Sequence, residues 1–232
     1  MDLVLEGIKD AFLLLVRGDR DVLRIVVLSL AVSGSATIIS LVIGVPLGAV
    51  LGLNNFPGKK LLASFINTGM GAPPVVVGLA VTILLWRSGP LGLLHLLYTP
   101  WAMIIAQCII ALPLIAGFTL ATMQQLDPRL RTQIIALGAS RAQMVWLLLR
   151  EARLPLLAAV MAGFGAVISE VGASMMVGGN ITGQTRVLTT ATVMETGKGD
   201  FPMAISLGLI LMLLVYAVNL ILTMAQQRKY SR

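Results

Sequence analysis

Five long apolar runs govern what this chain of 232 residues can fold into. They cover roughly residues 25–53, 61–86, 100–123, 154–177 and 202–224, and each exceeds the ~18 residues that argue for a membrane-spanning helix. Only 12% of the residues are charged, about half the share expected of a soluble domain. The chain therefore reads as an all-α membrane protein. One transmembrane domain, residues 22–225, holds five transmembrane helices. It follows an N-terminal segment, 1–21, and precedes a tail, 226–232.

The N-terminal residues MDLVLEGIKDAFLLLVR alternate apolar and charged positions at helical spacing. Their uninterrupted apolar part, Ala11 to Val16, is too short to span, so an amphipathic helix lying on the membrane is expected. GDRD, residues 18–21, reads as a polar break. Asp2, Glu6 and Asp10 with no early basic cluster do not make a cleavable signal peptide. Pro100 and Pro202 suit a first helical turn, and Trp86 and Trp101 stand at segment ends as interfacial aromatics do. Pro46, Pro113 and the pair Pro73-Pro74 lie inside runs and should kink or break them.

The basic residues set an orientation. The connections 54–60 and 124–153 and the tail carry Lys59, Lys60, Arg129, Arg131, Arg141, Arg150, Arg153, Arg228, Lys229 and Arg232, against Asp127 and Glu151. On the other side Lys9, Arg17, Arg20, Arg24, Arg87, Arg186 and Lys198 are balanced by Asp2, Glu6, Asp10, Asp19, Asp21, Glu195 and Asp200. The first side is the cytoplasmic one, which places the N-terminus outside and the C-terminus inside. The net charge of +7 is thus a topology signal. No basic tract interleaved with aromatics points to nucleic acid. Cys108 alone forms no internal disulfide and reads as a small core residue. His95 has no second ligand near it, as a metal site would need, and reads as an interfacial side chain.

The 124–153 connection opens on Asp127-Pro128, an N-cap followed by proline. Ile134, Ile135 and Leu137 give it a short amphipathic pattern. Ala136, Gly138, Ala139 and Ser140 are small enough to let another backbone approach, with Arg141 beside them. On physics alone this is either an ordinary amphipathic loop helix or a docking surface. The stretch TQIIALGASRAQ followed by LP resembles the EAA loop of type I ABC importer permeases. Gly138 matches the motif glycine and Leu154-Pro155 the closing LP. Thr132, Gln133 and Ile134 stand where the motif has Glu-Ala-Ala, and LP comes about one helical turn late. The resemblance implies that Gln133, Ala136, Leu137, Gly138, Ala139, Ser140 and Arg141 plug into a groove of an ATPase subunit.

Residues 169–209, SEVGASMMVGGNITGQTRVLTTATVMETGKGDFPMAISLGL, resemble tungstate-importer permeases, with molybdate and sulfate permeases more distantly similar. The likeness runs over about 22–225. It implies the type I ABC importer permease fold and the import of an oxyanion, tungstate or else molybdate, across the inner membrane of a bacterial or archaeal cell. It also implies a homodimer with the path on its axis, two ABC ATPase subunits and an extracytoplasmic solute-binding protein. No GxxxxGK[ST] phosphate loop occurs, so ATP and Mg²⁺ are expected on the partner ATPase, and no catalytic residue or cofactor on this chain. The rival from another class is an ion-coupled secondary transporter, for which Glu170 is the one available intramembrane carboxylate.

Glu170 lies within the fourth run, where a charge costs on the order of 2.5–3.5 kcal/mol. It repels an oxyanion, so a gate or helix-packing role is expected, near the outer interface and within reach of Arg186. GGNITGQTR, residues 178–186, is either a turn-rich loop or an outer gate and docking rim, with Asn180, Thr182, Thr185 and Arg186 as its polar groups. GAPP, residues 71–74, is either a plain kink or, through Gly71, Pro73 and Pro74, a source of free backbone groups along the path.

Overall fold

The computed structural model describes residues 2–227. The basic tail residues Arg228, Lys229 and Arg232 that entered the charge count lie outside the described residues. Among the described residues the chain is helical throughout, with eleven α-helices and one 3₁₀ turn, Gly92–Leu94. Helix α1 (Asp2–Arg17) does form, and Gly18 with φ +63° turns the chain into α2 (Arg20–Leu53). The expected polar break is shorter than its sequence suggests. Asp19 Oδ1 accepts the amides of Asp21 and Val22, both at 3.0 Å, so the helix starts within GDRD. Helix α1 buries Gly7 and Ala11 against α11 (Phe201–Gln227), where Ser206 Oγ donates to the Gly7 carbonyl at 2.8 Å. Its Leu3, Leu5, Phe12 and Val16 face outward.

The centre of the molecule is the pair formed by α2 and α5 (Pro100–Gln125). Gly44, Gly48 and Gly52 recur one helical turn apart along α2, and each faces α5. A Cβ on Gly48 would run into the Ala116 carbonyl, and one on Gly44 would lie 3.2 Å from the Ala116 amide. Small residues at this spacing let two membrane helices touch backbone to backbone. Pro46 is exposed on α2 and Pro113 packs beside Gly69, and both helices continue through them.

The second and fourth apolar runs are each divided. Helices α3 (Lys59–Met70) and α4 (Pro74–Leu85) meet at 103° across Gly71–Pro73. The fourth run gives α8 (Arg153–Ile168) and the short α9 (Gly172–Gly178), separated at Ser169–Val171. At the other end of α8, α7 (Arg141–Glu151) joins it at 71°. Helices α6 (Pro128–Ala136) and α10 (Leu188–Lys198) complete the set. Among the described residues three helices are long and apolar enough to cross a membrane, or up to five spans if each of the bent pairs α3–α4 and α7–α8 counts as one.

Candidate functional site

The 124–153 connection folds as α6, a tight turn and α7. Asp127 caps α6, its Oδ1 accepting the Arg129 amide at 2.8 Å. Ser140 caps α7 through a reciprocal box: its Oγ accepts the Gln143 amide at 3.3 Å, and its own amide donates to Gln143 Oε1 at 2.8 Å. Ala136 ends α6, and Leu137–Ser140 are therefore the turn between two helices and not a helical face. Gly138 adopts φ +82°, and a Cβ there would find nothing within 4 Å. Gln133, Ala136, Leu137, Gly138, Ser140 and Arg141 are all exposed, and Ala139 alone tucks inward with Ile134, Met144 and Leu148. Leu137 is 87% exposed on a segment flanked by Arg131 and Arg141. Two residues that sequence reasoning did not single out hold this platform. Arg131 reaches across to the Leu53 carbonyl at the end of α2, and Arg150 lies 5.4 Å from the ring centre of the exposed Trp146.

The two helix breaks come together. Val75, at the start of α4, packs against Gly172, at the start of α9, where a Cβ would lie 2.7 Å from Val75 Cγ2. One turn on, a Cβ on Gly78 would be 2.7 Å from the Ala173 Cα. At the α3–α4 break Pro73 has ψ 122°, as expected for a residue before proline. Among the described residues no hydrogen bond is made by the Val75 amide or accepted by the Gly71 and Ala72 carbonyls. GAPP is thus a full break with free backbone groups.

Glu170 sits in the second break and not inside a helix. It is 9% exposed, and its Oε1 accepts the Ala173 amide at 2.8 Å, capping α9. Its own carbonyl accepts from Thr189 Oγ1 at 3.0 Å. Among the described residues the one ion pair is Lys198–Glu195, so Glu170 and Arg186 do not pair. On the far side of α9, Gln107, 2% exposed, donates to Ser174 Oγ at 3.3 Å.

The 178–186 stretch is a stapled turn. Gly179, Asn180 and Gly183 take φ values of +70°, +50° and +73°. Thr185 is fully buried: its hydroxyl accepts the Ile181 amide and donates to the Gly178 carbonyl. It is a fastener, and Thr182 is the exposed polar group of the four expected on the rim. Arg186 turns back across the loop, with Nη2 3.4 Å from the Asn180 carbonyl. The neighbouring connection is tied in through the Tyr98 amide, which donates to the Val177 carbonyl at 2.9 Å.

Comparison with known proteins agrees with this architecture. A family model of binding-protein-dependent transport system inner membrane components matches residues 44–230. The tungstate uptake system permease protein TupB of Peptoclostridium acidaminophilum is 42% identical over 227 residues, covering 98% of this chain and 100% of that protein. A probable anion ABC transporter permease protein of Haloferax volcanii is 44% identical over 200 residues, covering 84% of this chain and 86% of that one. Among solved structures, an inward-facing MetNI methionine ABC transporter shares the fold, with a TM-score of 0.73 at 21% identity over 90% of this chain and 94% of that chain.

Proposed function

The chain belongs to the family of binding-protein-dependent transport system inner membrane components, the membrane-spanning permeases of ABC importers, and on that premise we propose that its cargo is tungstate. The observation that carries this reading is the 42% identity to a tungstate uptake permease along 98% of the chain. A solute-binding protein delivers the oxyanion outside, two copies of this chain enclose the path, and two ATPase subunits hold ATP and Mg²⁺. The chain itself contributes no catalytic residue.

The turn between α6 and α7 is the docking element for the ATPase. Leu137 and Arg141 stand out from it, while Ile134 and Ala139 anchor it to the body. Movement of the ATPases passes through α7 across its 71° bend into α8, and from there to the break that Glu170 caps. Because that break packs against the start of α4, tilting α8 moves both interrupted runs together. Glu170 is a positioning residue in this scheme. Its carboxylate repels an oxyanion, so the path holds cargo only weakly, as rapid release requires. Thr182 and its turn receive the delivery protein on the outer face.

The test is uptake by proteoliposomes containing this permease with its ATPase and binding protein. Tungstate should enter only when ATP reaches the ATPases. Uptake driven by an ion gradient without ATP, or molybdate uptake with tungstate ignored, would overturn the reading. The orientation is tested separately. Cysteines at Asn55 and Gln133 should react only with reagent on the cytoplasmic side, and a cysteine at Thr182 only from outside. The reverse pattern would invert the topology.

A further inference from the structure

We propose that the crevice between the first turns of α2 and the 178–186 turn is a phospholipid site, with the lipid phosphate between Arg24 and Arg186 and an acyl chain along α2. The inference needs only that α2 crosses a membrane and is independent of the cargo.

Two guanidinium groups border one small cavity of about 80 Å³, formed with Asp21, Ile25, Leu28, Thr182 and Gly183. Neither is ion-paired among the described residues. The Nε of Arg186 is buried without a hydrogen-bond partner, and the bond its Nη2 donates to the Asn180 carbonyl, at 3.4 Å, is long. A buried guanidinium donor left unpaired is costly, and two cations at one cavity repel. An anion with several oxygens relieves both penalties, and arginine matches phosphate geometry well. Gly183 makes room for the pair. A Cβ there would lie 3.3 Å from Arg24 Nη1, and φ +73° already disfavours a side chain.

The ligand is an amphiphile because the cavity continues into an apolar groove. A second cavity of about 410 Å³ shares Arg24, Leu28 and Gly183 with the first and runs past Leu23, Val27 and Ala31. Those three residues follow one another at four-residue spacing, which carries the groove about 12 Å down the helix. Leu23 and Val27 are exposed, so the groove is open along its side, as an acyl chain requires. The depth also fits. Helix α2 has 34 residues and is about 50 Å long, well over the ~30 Å hydrocarbon core. Its charged residues, Arg20, Asp21 and Arg24, all lie in its first two turns, which puts those turns at the headgroup level.

Asp21 decides which lipid. Its carboxylate borders the same cavity and would repel a free oxyanion or a purely anionic headgroup. Beside a phosphate it complements an ammonium, so the pattern of two cations and one anion fits phosphoethanolamine.

The experiment is native mass spectrometry of the detergent-solubilised permease in its native assembly, with added phosphatidylethanolamine, phosphatidylglycerol or inorganic phosphate. Wild-type chain should retain one phosphatidylethanolamine, preferred at least threefold over phosphatidylglycerol. Arg24→Gln combined with Arg186→Gln should lower retention at least fivefold. Ala31→Trp, which fills the groove without touching the charges, should do the same. Arg24→Lys, which keeps the charge, should retain most of the lipid and shows that loss in the double variant is not misfolding. Asp21→Asn should abolish the preference between headgroups. Unchanged retention in the double variant and in Ala31→Trp would overturn the proposal. So would inorganic phosphate displacing the lipid, or a cysteine at Val27 cross-linking to a second copy or another protein chain.

Discussion

Arg131 Nη1 donates to the Leu53 carbonyl at 2.6 Å, joining α6 to the last turn of α2. The bond spans two elements that also share one apolar cluster, with Ala49 and Leu53 from α2 and Leu130 and Ile134 from α6. It satisfies a carbonyl that a helix end leaves free, and it places a cation at the negative end of the helix. Arg131 thus ties the helix that leads into the α6–α7 turn to α2, the longest helix among the described residues.

Loss of that tie should separate ATP hydrolysis from transport. Arg131→Met keeps the aliphatic stem and removes the donor. The bond is exposed, so its loss should cost only about 1 kcal/mol of stability. We expect the complex to assemble and hydrolyse ATP while uptake per ATP falls at least threefold. Uptake and phosphate release measured on the same proteoliposomes check this, and an unchanged ratio would remove Arg131 from the coupling path.

Gly138 distinguishes strain from bulk. Its φ of +82° makes any side chain unfavourable, while the space around it is empty. Asparagine tolerates this conformation better than other residues. Gly138→Asn should retain the ATPase, and Gly138→Trp should lose it at least tenfold in co-purification, about 1.4 kcal/mol. If both variants bind the ATPase equally well, the turn is not the docking surface.

Glu170 is tested by what its cap needs. Glu170→Gln still presents an acceptor to the Ala173 amide, so assembly and part of the transport should persist. Glu170→Leu removes the acceptor and should lower stability by about 1–2 kcal/mol, read as a fall in Tm. Complete loss of transport in Glu170→Gln with ATP hydrolysis intact would instead indicate a proton carrier.

Thr185 should behave as a fastener and not as a ligand. Thr185→Val keeps its shape but leaves the Ile181 amide and the Gly178 carbonyl without their partner. We expect faster hydrogen exchange across 178–186, by tenfold or more, and recovery in Thr185→Ser. Protection unchanged in Thr185→Val would show that the turn is held by other contacts.

The apolar runs alone determined that this chain is a helical membrane protein, because a backbone in lipid must satisfy its own hydrogen bonds. Caps were also legible where they are local: Asp127-Pro128 starts α6 as its chemistry predicts. The motif residues of the α6–α7 turn were found through their likeness to the EAA loop, whereas it took the structure to show that Gly44, Gly48 and Gly52 face α5. Tertiary structure decided the rest. Pro46 and Pro113 were indistinguishable by residue type from Pro73, yet only the Pro73-Pro74 pair divides its run. The first two each stand alone and remove a single donor, and α2 and α5 run on through them. At GAPP two successive prolines remove adjacent donors, and Pro73 is driven extended. The break at Glu170 had no sequence signature, since apolar composition continues on both sides. What selects it is long-range: Thr189 holds the Glu170 carbonyl from α10, and Val75 packs on Gly172 from α4. Likewise Thr185 reads as a surface polar residue until the turn closes around it. A hydrogen bond between distant parts of a chain is a property of the fold, and hydropathy and spacing carry no record of it.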